Sequence, residues 1–355
     1  MRERKDVYKL PPGDKTLEWY AKAVIAMKAR PSTDPTSWNY QAAIHGFNAN
    51  SPFWAGAAPL PPLSERQQYW DRCQHSSWYF LPWHRMYLAY FEQIVAKTIH
   101  DLGGPADWAL PFWNYSESQP PNVRTIPAAF TSPANAANGL WITGRSNNHT
   151  MPQNITLLTN LNIIPFVSSA GAVGFGGPET AFNHGGGQFG GLESLPHNPI
   201  HVAIAGAMGV PSTAGLDPIF WLHHANIDRL WQVWLNMRHG RANPTKASWL
   251  NMKFDFHDKD RRRVTMTPGQ VVDTRHVLDG YTYQGVPPAP PALLESLDLE
   301  GTDMSVPLEI AAATDHSVSL GGATTEVNLA LDSSPRNAKN FSAVTGALES
   351  VSAPA

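Results

Sequence analysis

Six of the 14 histidines fall into two triplets. Upstream, His45 is followed by His75 and His84, the latter two closing the run CQHSSWYFLPWH. Downstream, His197 and His201 in PHNPIH are followed by His224 in DPIFWLHHANIDRLW. Neutral imidazole is the commonest protein ligand for a redox metal. Three imidazoles per site, twice over and with no carboxylate at ligand spacing, favour copper over magnesium or calcium. A structural zinc would want four ligands, usually with several thiolates, and the single cysteine, Cys73, cannot supply them. Three ligands per metal leave an open position for a small molecule to bind and leave.

These imidazoles need rigid elements to hold them. Residues 14–30 read as an amphipathic helix through Leu17, Tyr20, Ala21 and Ile25. Asn39 to Phe47 carries His45, and residues 51–63 read as a loop. Pro82 to His100 reads as a long helix with His84 near its start, closed by Asp101-Leu-Gly-Gly-Pro. Residues 196–208 read as a helix whose first turn tolerates its prolines, putting His197 and His201 on one face. Asp217-Pro218 caps and starts a further helix through Trp234, carrying His223 and His224. Between these, 117–192 is rich in Pro, Asn, Gly and Ser, a loop region long enough to suggest a functional wall or lid. Residues 250–284 alternate like strands, and 285–301 form a proline-rich linker to a short segment that alternates like one or two strands.

Composition narrows the partners. With a net charge of -3 and 15% charged residues, nothing points to nucleic acid or an anionic membrane surface. No apolar run approaches the length of about 20 residues that a bilayer requires, and MRERKDVYKL has no signal-like apolar core. Compartment is therefore not readable, and sequons at Asn148, Asn154 and Asn340 do not locate the protein. His100, His149, His239, His257, His276 and His316 lack ligand spacing and read as ordinary surface or core histidines; His184, in NHGGGQFG, reads as a loop residue.

The stretches CQHSSWYFLPWHRMYLAYFE and DPIFWLHHANIDRLWQVW resemble the two copper-binding signatures of the type 3 copper proteins, which include tyrosinases, catechol oxidases and molluscan haemocyanins. The resemblance covers about residues 35–285. It implies a mainly α fold, a four-helix bundle holding a pair of copper ions, with long loops, short β segments and a short C-terminal β-like tail. It assigns His45, His75 and His84 to one copper and His197, His201 and His224 to the other. His223 then stands behind its neighbour, and Asp228, one turn after His224, is placed to accept an N–H from a ligand imidazole. Cys73 matches a cysteine that forms a thioether to a copper-ligating histidine, here His75.

The resemblance also implies the chemistry: O2 and a phenolic small molecule, with ortho-hydroxylation of monophenols and oxidation of o-diphenols to o-quinones. Glu193 and Asn198, flanking His197, resemble the pair that polarises a water to take the phenolic proton. Phe220 matches an aromatic residue overhanging the first copper and gating entry, and Val202 and Val210 are expected along the pocket wall. The alternatives are a catechol or o-aminophenol oxidase without monophenolase activity and, more remotely, a haemocyanin-like O2 carrier. A copper-delivery protein is compatible with this reading. The expected organisation is a catalytic domain over 1–285 and a linker with a partial β segment over 286–355, a truncated or degenerate cap that leaves the site at least partly open.

Overall fold

A computed structural model describes residues 1–287 and the short pairs 312–313 and 330–331. The chain divides into two units, Met1–Pro291 and Ala292–Ala355. In the second, Ala312–Ala313 and Ala330–Leu331 pair antiparallel; the rest of the expected tail, with His316 and Asn340, lies outside the described residues. No helix among the described residues is long and apolar enough to cross a membrane.

The first unit is mainly helical. Its elements are β1 (Arg2–Arg4), α1 (Thr16–Lys28), α2 (Trp38–His45), α3 (Leu63–Tyr69), α4 (Phe80–Asp101), α5 (Asn198–Ile204), α6 (Pro211–Ala214), α7 (Pro218–Asn236), α8 (Ala247–Leu250), β2 (Phe254–His257), β3 (Arg263–Met266) and β4 (Tyr281–Tyr283). Helix α4 packs against α1 and α7, and its side chains are buried almost all round. Between α4 and α7 the Phe91 and Trp221 rings stack with centroids 3.3 Å apart, adding face-to-face dispersion to burial. Pro82 sits in the first turn of α4, where its missing N–H costs nothing. The helix ends where Gly103 takes a φ of +80°.

The caps place the histidine-bearing helices. Ser37 accepts the Tyr40 N–H at 3.1 Å to start α2. The Asp217 carboxylate accepts the Ile219 N–H at 3.0 Å to start α7, and is itself paired with Arg145. After α2, the Cβ of any residue other than glycine at position 46 would lie 2.7 Å from the Ser212 Cα. Gly46 thus allows the chain around α6 to close on the end of α2.

Two expectations shift here. The helix expected over 196–208 is only α5, Asn198–Ile204. Ahead of it an irregular turn spans Glu193–His197, because Pro196 pushes Leu195 into extended backbone (φ -155°, ψ 125°); behind it Ala205 breaks the helix at φ +61°. The second concerns Asp228, which touches no ligand imidazole. Its carboxylate accepts from Arg85 Nε at 2.5 Å, Arg4 Nη1 at 3.3 Å, and the Tyr281 and Tyr283 hydroxyls at 2.6 Å each. Burial opposes its ionisation, yet the two guanidiniums and two hydroxyls hold its pKa below the usual value. Arg4 also donates to Glu92. The network joins α4 and α7 to β1, which pairs parallel with β4, Arg2 opposite Tyr281 and Arg4 opposite Tyr283. Asp228 closes the fold; it does not orient a ligand.

Candidate metal centre

Helices α2 (His45), α4 (His84), α5 (His201) and α7 (His223, His224), with His75 from the loop before α4 and His197 from the turn ahead of α5, bring the six expected histidines into two groups, one of His45, His75 and His84, the other of His197, His201 and His224 with His223. The groups adjoin: the His84 and His224 rings stack with centroids 4.5 Å apart.

Hydrogen bonds at the outer edge of four of the six rings fix their tautomers. His45 Nδ1 lies 2.8 Å from the Pro211 carbonyl, His84 Nδ1 2.8 Å from the Phe80 carbonyl, and His201 Nδ1 2.9 Å from the Met208 carbonyl. A carbonyl only accepts, so each Nδ1 carries the proton and each Nε2 presents a lone pair. His197 Nδ1 is held in the same way by the Asn198 side-chain oxygen at 2.8 Å. The Nε2 atoms of His45 and His84 are buried without a protein partner. Those of His197 and His201 converge on His224 Nε2 at 3.3 and 3.1 Å. Unshared lone pairs converging in a buried space call for a cation. An all-imidazole donor set with preset tautomers fits copper. Burial lowers the pKa of every one of these histidines, His75 to about 3 and His201 to about 4, so all are neutral, ligand-competent bases near pH 7.

Residues 35–150 and 133–237 match the common central domain of tyrosinase, and residues 243–291 match the polyphenol oxidase middle domain. The chain belongs to the tyrosinase family. Family members are copper oxidoreductases of the type 3 dicopper class. The chain is 45% identical to "Tyrosinase HcTyr1" of Hahella sp. (strain CCB-MM4) over 98% of its length and 75% of that protein's. It is 31% identical to the chloroplastic polyphenol oxidase of Malus domestica over 75% of its length and 46% of the relative's. It therefore spans about half the length of the plant proteins it matches. Among solved structures, latent apple tyrosinase superposes with a TM-score of 0.60 at 27% identity, covering 81% of this chain and 63% of that one. The Vitis vinifera polyphenol oxidase gives 0.59 at 28%, covering 81% and 86%.

Around this tyrosinase-family centre the remaining expected residues divide. His75 hangs from the loop before α4, clamped by Asn183, which receives the His75 N–H on its carbonyl at 3.0 Å and donates its amide to the His75 carbonyl at 3.0 Å. The next residue, Ser76, donates its N–H to both Glu193 oxygens, at 3.1 and 2.9 Å. Glu193 is buried, which pushes its carboxyl up to about 8, the Ser76 N–H only partly opposing. Cys73 Sγ lies 3.2 Å from His75 Nδ1 and 3.2 Å from His184 Nδ1. His223 Nδ1 lies 3.1 Å from the Tyr115 hydroxyl, and its Nε2 has no protein partner.

A cavity of about 360 Å³ opens over His75, His197 and His201, with Asn198 and Val202 in its wall. Phe220 is not at its mouth. Four residues before His224 on the same helical face, it is fully buried, its ring 4.1 Å from His224 and 4.9 Å from His45. It packs beneath the imidazoles and cannot gate entry. Val210 is half exposed, and its neighbours Gly209 and Pro211 form the wall in its place. Sequence reasoning missed His184, Phe189, Met208 and Pro211, which also line the cavity. The glycine run in NHGGGQFGG was the one available signal for the first two, since it frees backbone beside a histidine and an aromatic ring.

Proposed function

We propose that this chain is a phenol oxidase that hydroxylates monophenols ortho to the hydroxyl and oxidises o-diphenols to o-quinones. The observation carrying this reading is the placement of Asn198 and Glu193. Asn198 directly follows His197, lies in the cavity wall, and spends its side-chain oxygen on His197 Nδ1, leaving its amide N–H groups for a ligand or water. Glu193, in the irregular turn ahead of His197, is buried behind the cavity wall, and that burial pushes its carboxyl up to about 8, suited to taking and returning a proton relayed from the cavity. Phenol titrates near pH 10, so a monophenol needs such help to bind as phenolate. A cavity of this size suits a substituted aromatic ring. The metal pair would supply O2 binding and activation; the protein presents the ring and handles the proton. Copper-reconstituted protein is expected to form quinone from both 4-methylphenol and 4-methylcatechol. Quinone from the catechol alone would replace this reading with a catechol oxidase, which the double Ser76 hydrogen bond on Glu193 would then explain by tying up the base.

The copper ions in this reading are held by His45, His75 and His84, and by His197, His201 and His224. His224, with Nε2 facing His197 and His201, serves as ligand, while His223 is tied to Tyr115. His224→Ala is expected to retain one copper per chain by metal analysis and His223→Ala to retain two. The reverse result would exchange their roles.

Cys73 forms a thioether to His75 in this reading. The contact at 3.2 Å supports it. An S–C bond forms at the imidazole, and the thiol and ring C–H protons leave with two electrons taken up by O2. Copper-loaded protein exposed to air is expected to weigh two hydrogens less than the chain and to resist thiol alkylation after denaturation. A free, alkylatable thiol overturns it.

A further inference from the structure

The cavity wall has a chemical bias. Among its lining residues there is no Asp, Glu, Lys or Arg. Its polar side chains are the floor imidazoles and Asn198, with His184 at the side; the apolar side chains are Phe189, Val202, Pro211 and the buried Met208. Phe189 is 42% exposed and Val202 70% exposed, two large apolar side chains at the entrance.

Phe189 is carried on a loop fastened at both feet. On one side the Asn183 amide donates to the carbonyls of His75, Ser76 and Gly186 at 3.0, 3.2 and 3.0 Å. On the other, Gly191 N–H donates to the Gly174 carbonyl at 2.9 Å, and a Cβ at Gly190 would lie 2.6 Å from Gly177 N. Between them Gly186 and Gly187 take φ of +84° and +110°, and a side chain at Gly185 or Gly186 would meet nothing within 4 Å. The feet hold the loop beside His75, and the glycines free the stretch that presents Phe189.

From this arrangement we infer that Phe189 and Val202 form a para-substituent subsite, and that the enzyme selects phenols whose ring tail is uncharged and apolar. The inference rests on the phenol-oxidase reading above. With the reacting hydroxyl at the imidazole floor, the opposite end of the ring points outward between Phe189 and Val202. An alkyl or aryl tail there leaves water for an aromatic face and a branched side chain. A carboxylate or ammonium in the same place gives up hydration with no opposite charge in the wall to replace it.

Three catechols of similar size test it on the full-length, copper-loaded chain: 4-propylcatechol, 3-(3,4-dihydroxyphenyl)propionate and dopamine. Catechols need no hydroxylation step, so loss of monophenolase activity would not obscure the result. The expected kcat/KM for the propyl compound exceeds both others by roughly tenfold or more, carried by KM. Phe189→Ala is expected to cut that advantage to about threefold or less by raising the KM of the propyl compound, and Phe189→Leu to restore part of it. Equal use of all three, preference for a charged one, or an advantage surviving Phe189→Ala with Val202→Ala overturns the subsite. If no catechol is oxidised, the phenol-oxidase reading has failed instead. Ligand-observed NMR of 4-propylphenol and tyramine with the metal-free protein then decides the subsite: preferential binding of the propyl compound, lost in Phe189→Ala, upholds it, and equal binding overturns it.

Discussion

Replacing Asn198 by glycine is expected to lower ortho-hydroxylation of 4-methylphenol by about ten- to a hundredfold while oxidation of 4-methylcatechol stays within about threefold of the parent. Two jobs meet in this side chain. Its oxygen receives the His197 Nδ1 proton at 2.8 Å, which sets the imidazole tautomer. Its amide is left free at the cavity wall, where in the proposed mechanism it would hold a water that passes the phenolic proton toward Glu193, which is buried behind the wall against Ser76. Glycine removes both, so a second variant is needed to separate them. Asn198→Asp keeps an oxygen for His197 and loses the amide N–H groups; diphenol oxidation and copper content are expected to hold in it. Steady-state rates on the matched pair of substrates, with copper per chain measured alongside, decide the matter. Equal loss on both substrates in the glycine variant would mean that Asn198 serves only to orient His197, and the monophenolase reading would lose its carrying observation.

Asp228→Ala is expected to destabilise the first unit by about 3–5 kcal/mol, because it removes the one carboxylate on which two buried guanidiniums and two tyrosine hydroxyls now converge. Arg4 and Arg85 are both fully buried. With the carboxylate gone, Arg4 keeps Glu92 and the Tyr283 hydroxyl, the latter at 2.8 Å, and Arg85 keeps only the Val271 carbonyl at 2.9 Å. Tyr281→Phe removes a single hydrogen bond to a charged group and is expected to cost less, about 1.5–3 kcal/mol. Urea unfolding of the metal-free proteins gives the comparison. The same preparations settle the role: a positioning partner of a ligand imidazole would show weakened copper binding with nearly parental stability, whereas the fold-closing role places the loss in stability.

The histidine-bearing helices were legible because local signals agree there. Asp217-Pro218 is a cap followed by a proline that suits a helix start, and the four-residue spacing of His197 and His201 needs only one turn of helix to become a shared face. What the sequence hid was set by distant partners. Asp228 looked like a ligand's neighbour because spacing sees only one helix; Arg4, 224 residues away in sequence, is invisible to it. The strand Arg2–Arg4 is short and charged, with no strand periodicity of its own, and exists because β4 pairs with it. Phe220 shows the same limit: helical spacing correctly put it on the face of His224 but could not say which side of the imidazoles is the entrance. The Phe189 side of the cavity wall comes from a long loop whose course is fixed by Asn183 and the glycine contacts, not by any repeating pattern.

The acceptors that hold the imidazole protons have a bearing on how such a site can diversify. For His45, His84 and His201 the acceptor is a main-chain carbonyl, which no single-residue exchange deletes. Those rings are shielded from ordinary genetic variation, so the residues around them can drift without spoiling the metal-binding frame. His197 is the exception, since its acceptor belongs to the side chain of Asn198. Of these four histidines it is the one whose electronic state heredity can adjust in a single step, and the residue that does so also lines the cavity. A lineage of such enzymes therefore has one inexpensive dial for its reactivity, and it is set beside a frame that mutation scarcely reaches.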